Sequence, residues 1–315
     1  MPICSRRPGP PAPRAPRHAP SGRGDGGKGA PVKTILVTGA NRGIGRLAAA
    51  ELLRRGDRVI LTARNPDRAA ALRSELSAEI ASGRAQVRPL DLASFASVRG
   101  LSAELIADGE RLDAIVHNAG TLSPPPVRTI TEDGIEQTLQ IHAVAPWLLS
   151  TLLLPALARP SRLVFLGSSL HLPNSRGVPV RFSFDDPFLV EGYHPERAYK
   201  NAKLAQLWVV REWERRHGAE GVHADDLCPG FVPITASANT RGFMRVLLRR
   251  VMPIMPFATS PQAAARLEAD WAERDPTIPG GAYFDGGTPT QPSEDARDDD
   301  TARSFWALLE AWAPV

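Results

Sequence analysis

Residues Val32 to Thr38 form a short apolar, β-branched run that leads into Gly39-Ala40-Asn41-Arg42-Gly43-Ile44-Gly45 and then into an apolar stretch of helical character. Few folds use the order strand, glycine turn, helix in this way. The glycines let backbone N–H groups come close to a phosphate, and the N-terminus of the following helix offers it partial positive charge. The turn therefore predicts a dinucleotide pyrophosphate site at the end of a first parallel strand, with Gly39, Asn41, Arg42, Gly43, Ile44 and Gly45 as its contacts.

Downstream, apolar runs of strand and helix length alternate. The pattern predicts helices over 47–55, 67–80, 94–107 and 132–157, and strands over 58–62, 86–90, 112–117 and 162–166. This is the alternation of an α/β doubly wound parallel sheet of the Rossmann type, whose ligands bind at the carboxyl ends of the strands. Although 315 residues would fit two domains, α/β folds of about 250 residues are commonly one. A single domain over 32–315 is expected.

Residues 1–31 stand apart, being Pro, Gly, Arg and Ala with almost no large apolar side chain, a composition that cannot bury enough to order itself. They carry Arg6, Arg7, Arg14, Arg17, Arg23 and Lys28 against Asp25, so a net charge of +4 for the chain leaves the remainder at −1. The basic pI therefore belongs to the tail and gives no reason to expect nucleic acid as a partner. No run is apolar and long enough to span a bilayer. Two cysteines, Cys4 and Cys228, make no disulfide framework and fit a reducing, cytoplasmic compartment, and the seven His show no metal-ligand spacing, so no metal is expected.

A second constellation lies at Ala198-Tyr199-Lys200-Asn201-Ala202-Lys203. Four residues apart on a helix, Tyr199 and Lys203 share a face, where an ammonium beside a phenol favours the phenolate and improves Tyr199 as a proton donor and acceptor. Only four of the 38 basic residues are Lys (28, 33, 200 and 203), and two of them are here. Chance produces such a pair in roughly 4% of shuffled chains of this composition, so the pair gains its weight from the glycine turn upstream.

Together these features resemble the short-chain dehydrogenase/reductase family over about residues 33 to 290. Thr38 to Gly45 matches the family's glycine motif, Asp91-Leu92 its adenine-flanking pair, Asn118-Ala119-Gly120 its motif after the fourth strand, and Pro229-Gly230 its motif after the sixth. The resemblance implies a hydride-transfer enzyme in which Ser168 and Tyr199 hold a carbonyl oxygen, and Lys203 tunes Tyr199 and holds the nicotinamide ribose. Ser168 is chosen over Ser169 because His171 follows it by three, as in the retinol-dehydrogenase-like branch. His171 itself reads as a wall of the pocket. Protochlorophyllide-reductase-like enzymes form the other similar branch, but the cysteine they carry just after Pro-Gly is Phe231 here.

Two departures stand out. His142 takes the place of the family's water-holding Asn behind the Lys, and reads either as a substitute proton relay or as a packed core residue. Ile234 takes the place of a Thr that meets the nicotinamide amide, with Thr235 one position later as the substitute.

The slot after the second strand holds Ala63-Arg64 where NAD-binding proteins carry an acid, so Arg64, with Arg42, predicts NADP (NADPH) as cofactor. Substrate contacts are expected from Leu172 to Pro195, with Phe182, Phe184, Phe188 and Tyr193, and from Thr235 to Ala258, where apolar residues alternate with Arg241, Arg245, Arg249 and Arg250. The second segment suits a lid over a bulky apolar substrate; contact with a membrane surface and plain packing are the other readings. The expected function is reduction of a ketone or aldehyde on a hydrophobic small molecule, or oxidation of the matching alcohol. A silent NADP-binding regulator and a C=C reductase are the alternatives, and the sequence leaves oligomeric state open.

Overall fold

The computed structural model describes residues 31–121, 123–233, 255 and 258–315. In chain order it contains β1 (Thr34–Val37), α1 (Gly43–Arg55), β2 (Arg58–Ala63), α2 (Pro66–Glu75), α3 (Ser77–Ala81), β3 (Ala85–Pro89), α4 (Phe95–Ala107) and β4 (Leu112–His117). These are followed by α5 (Gln137–Leu139), a π-helical turn (Gln140–Val144), α6 (Ala145–Leu152), β5 (Leu157–Leu166), α7 (Pro195–His217) and β6 (Val222–Cys228). The last elements are α8 (Pro261–Glu273), β7 (Tyr283–Asp285), β8 (Thr288–Thr290) and α9 (Asp299–Trp312).

The strands form one sheet in the order β3-β2-β1-β4-β5-β6-β7-β8, parallel throughout except for the β7–β8 pair. Ile35, Leu36 and Val37 of β1 are all fully buried, because helices cover both faces and a central parallel strand has no side left for water. Side chains of α1, α2 and α8 pack on one face, and those of α4, α6, α7 and α9 on the other. Chain connection reverses direction between β1 and β4, which opens a crevice at their carboxyl ends.

Several elements differ from the sequence reading: the helix expected to run to 157 ends at Leu152, because the chain there enters β5, which begins at Leu157 and not at 162. The helix expected over 67–80 is split at Leu76 into α2 and α3. The helix expected from residue 132 begins only at Gln137: Gly134 sits at φ +81°, outside helical space, and the Glu136 carboxylate caps the N–H groups of Thr138 and Leu139. The edge hairpin β7–β8 was not anticipated. It turns through Gly286 and Gly287, both at positive φ, as a two-residue turn matching strand twist requires. No helix among the described residues is long and apolar enough to cross a membrane.

Candidate active site

At the β1 end, each glycine of the turn has its own task. Gly39 adopts φ +67°, and a Cβ there would lie 2.8 Å from the Ala119 Cα, so the β1 and β4 loops touch through it. Gly43, at φ +61°, has nothing within 4 Å of a built Cβ and keeps open space above the first turn of α1. Gly45 packs against the Asn118 side chain. Asn118 Nδ2 donates to the Thr38 carbonyl at 2.7 Å, and Thr38 Oγ1 accepts from the Ala119 N–H at 3.0 Å. The motifs after β1 and β4 thus lock each other in place.

Around this cradle lie the other expected cofactor contacts. Ile44 is buried at the start of α1, while Asn41 is half-buried and Arg42 exposed before it. Asp91 closes a turn by accepting the Ala93 N–H at 3.0 Å, beside the buried Leu92. Arg64 is exposed directly after the buried Ala63. Neither Arg42 nor Arg64 is paired with an acid among the described residues. Gly230 follows Pro229 at φ +82°, and Thr259 stands against it. Thr235 and Ile234 lie outside the described residues, as does nearly all of the 235–258 segment. An open glycine cradle at a helix N-terminus, with free cations beside the β2 end, is a donor set that fits a dinucleotide.

Ser168, Tyr199, Lys203 and His142 converge at the β5 end. The Ser168 side chain stands by the Tyr199 phenol and favours its ionised form, the Lys203 Nζ lies 5.8 Å from the centre of the Tyr199 ring, and the His142 ring meets that ring edge-on at 5.4 Å. Burial holds the phenol above the usual tyrosine range, and the Ser168 side chain only partly offsets this. The sequence reading assigned that lowering to Lys203. The Lys203 donors instead go to the Leu166 carbonyl at 2.5 Å and to Gln206 Oε1 at 2.9 Å. His142 sits on the π-helical turn, against Gly120, and its Nε2 accepts the Thr121 N–H at 3.3 Å. His171, buried, turns its Nδ1 to the Ser168 carbonyl at 2.6 Å and so braces the loop that carries Ser168.

The aromatic residues of 172–195 are used differently from the expectation. Phe182 meets Trp208 of α7 edge-on and Phe184 packs on the same ring at a tilt, Phe188 packs on Trp312 of α9, and the Tyr193 hydroxyl donates to the Pro125 carbonyl at 2.7 Å. They tie the loop to the helical layer, because α7 and α9 leave an aromatic seam that the loop covers. Sequence reasoning also passed over Gln206 and Asp226, the side chains linked to Lys203. A signal was there: Asp225-Asp226 interrupts a strand whose other residues are those of a sheet interior.

Comparison with known proteins agrees with this geometry. The family profile described as short chain dehydrogenase matches residues 33–179. Retinol dehydrogenase 13 of Homo sapiens is 33% identical over 285 residues, covering 88% of this chain and 83% of its own length. Polyprenol dehydrogenase of Mus musculus is 33% identical, covering 88% of this chain and 82% of its own. Among solved structures, a blue fluorescent protein from a metagenomic library in complex with NADPH superposes with a TM-score of 0.62 at 26% identity, covering 81% of this chain and 97% of its own. With the cradle, the Ser–Tyr–Lys cluster and relatives of this length and identity in agreement, the chain belongs to the short-chain dehydrogenase/reductase family, on its retinol-dehydrogenase-like side.

Proposed function

We propose that this chain is an NADP(H)-dependent oxidoreductase that reduces the ketone or aldehyde of a hydrophobic small molecule, or oxidises the matching alcohol. The observation that carries the reading is the meeting of Ser168, Tyr199 and Lys203 at the β5 end, with the Lys203 Nζ 5.8 Å from the centre of the Tyr199 ring. NADPH would supply hydride chemistry when bound; Gly39, Asn41, Arg42, Gly43, Ile44, Gly45, Asp91, Leu92, Asn118, Ala119 and Gly120 would hold it, with Pro229 and Gly230 on the nicotinamide side and Arg64 for the 2′-phosphate.

Ser168 and Tyr199 present two hydroxyls to a carbonyl oxygen and stabilise the negative charge that develops on it. Tyr199 keeps its proton through neutral pH, because burial raises the phenol, and gives it to that oxygen in the reduction direction. In oxidation the phenolate of Tyr199, which the Lys203 charge favours, takes the alcohol proton and returns to the phenol. Retinol and polyprenol, which name two of the relatives, are alcohols with long apolar chains and support a substrate of that character. The C=C reductase reading has less support, since the Cys228 thiol is buried and the position just after Pro229-Gly230 is Phe231. Cysteine usage favours a reducing, cytoplasmic setting.

The test is NADPH oxidation over a panel of aldehydes, ketones and quinones with apolar chains, run beside Ser168→Ala. Turnover that falls at least about 100-fold in the variant supports the reading. A wild type that binds NADPH and turns over no carbonyl or alcohol would leave the silent regulator in its place.

A further inference from the structure

Two adjacent acids lie in the buried middle of β6, where a parallel strand has no solvent face. Asp225 and Asp226 are 0% and 1% exposed, and as neighbours on a strand they point to opposite faces of the sheet. On one face Asp225 is neutralised by Arg162 and by Arg274, the latter at 2.8 Å. On the other face Asp226 has no cation in contact among the described residues. Its Oδ2 accepts from Gln206 Nε2 at 2.6 Å, and Gln206 Oε1 accepts from Lys203 Nζ at 2.9 Å. Lys203 and Gln206 both also donate to the Leu166 carbonyl, at 2.5 and 3.0 Å. The carboxylate is lodged under the Ser168 loop, since a Cβ on Gly167 would lie 1.7 Å from Asp226 Oδ1.

This arrangement needs a reason, because a carboxylate in a sheet interior is costly unless a charge or hydrogen bonds compensate it. The amide of Gln206 orients it: its N–H faces the acid and its carbonyl faces the ammonium, so charge at either end favours charge at the other. We propose that Asp226 is a positioning residue for the reaction, acting through Gln206 to keep Lys203 protonated and aligned with Tyr199. The proposal rests on the reading of Tyr199 and Lys203 as the reaction's acid pair.

The surroundings single out Asp226 for this task. The groups facing Lys203 are Tyr199 on its own helix, His142 on the π-helical turn, and Asp226 and Cys228 on β6; Tyr283 and Asp285 of β7 and His171 stand behind these. Burial raises the Cys228 thiol and the Tyr199 and Tyr283 phenols, so all three stay neutral near pH 7, and it keeps His142 neutral by lowering it. Asp226 remains as the acid that favours the ammonium. Burial pushes Lys203 down and Asp226 up, and each charge partly reverses the shift of the other.

The test uses the scarcity of lysine. With Lys28, Lys33, Lys200 and Lys203 as the only lysines, 13Cε-lysine NMR of the full chain gives four signals, and Lys203→Arg assigns the fourth. Removing the carboxylate with Asp226→Asn is expected to lower the Lys203 titration midpoint by about one pH unit, because a neighbour favouring the ammonium is lost. The basic limb of kcat/KM against pH moves down with it. Combining Asp226→Asn with Gln206→Glu returns one negative charge to the network, in contact with Lys203, and restores both midpoints. Where Asp226→Asn does not fold, Gln206→Met cuts the bridge with both charges kept, and is expected to lower the midpoint as well. A Lys203 midpoint that is unmoved in a folded Asp226→Asn chain, or one that the double variant fails to restore while NADPH binding stays normal, overturns the proposal. The NMR midpoint is read without turnover, so a wild type inert toward every carbonyl counts against the functional reading alone.

Discussion

The Asn118 side chain occupies the space into which any side chain on Gly45 would grow: a Cβ at that position would lie 2.1 Å from Asn118 Nδ2. Asn118 cannot simply swing aside, because Nδ2 is bonded to the Thr38 carbonyl at 2.7 Å and leans on that of Gly39 at 3.3 Å. Gly45→Ala must therefore displace α1 or break the link between the β1 and β4 loops, and both lie under the cofactor cradle. NADPH affinity is expected to fall at least tenfold, which corresponds to about 1.4 kcal/mol. Fluorescence titration of the variant checks this, and wild-type affinity would mean that α1 can shift without disturbing the cradle.

Tyr199 sits between Ser168 and Lys203, and the Lys203 ammonium is directed to Leu166 and Gln206 rather than to the phenol. Removing the hydroxyl with Tyr199→Phe leaves the ring packed against His142 and takes away the proton donor. Turnover is expected to fall by more than about 100-fold with NADPH binding retained. A rate assay beside a binding titration decides it: residual turnover above a hundredth of wild type would assign the acid elsewhere.

Much of this site was legible in the sequence because its parts are local. The glycine turn, Asn118 to Gly120, and the Tyr199–Lys203 pair each fall within a few residues, and each stands at a strand end or on one helix face where periodicity locates it. What escaped depends on pairings across the sheet. Gln206 and Asp226 come together only because β6 lies beside β5 under α7, and the aromatic residues of 172–195 could not be told apart from pocket walls until Trp208 and Trp312 were seen to meet them. The start of the α5 helical run was missed because apolar periodicity outweighed a single Gly134.

Arg64 follows Ala63 at the end of β2, exposed and without an acid beside it among the described residues. An adenine ribose held there meets a guanidinium in place of the carboxylate that would select a 2′-hydroxyl. We expect a preference for NADPH over NADH of at least tenfold in kcat/KM, or about 1.4 kcal/mol, and reversal or loss of that preference in Arg64→Asp. Equal efficiency with both cofactors in the wild type would remove Arg64 and Arg42 from cofactor selection.

His142 occupies the place where family resemblance led us to expect a water-holding Asn, and its surroundings favour a holding role over a titrating one. Burial, followed by the charge of Lys203, keeps the imidazole well below its ordinary range, so it is neutral at pH 7. Its Nε2 already accepts the Thr121 N–H at 3.3 Å, and its ring fills the space beside Gly120. What the site needs from this position is an acceptor of the right size on the π-helical turn, which an amide also provides. His142→Asn is therefore expected to keep kcat within about threefold and to leave the solvent deuterium isotope effect unchanged. His142→Leu, in contrast, removes the acceptor of the Thr121 N–H bond seen here and should cost about 1 kcal/mol of stability, read from denaturant unfolding. A folded His142→Asn chain whose kcat drops more than about 30-fold, with an altered isotope effect, would reinstate the imidazole as a proton relay.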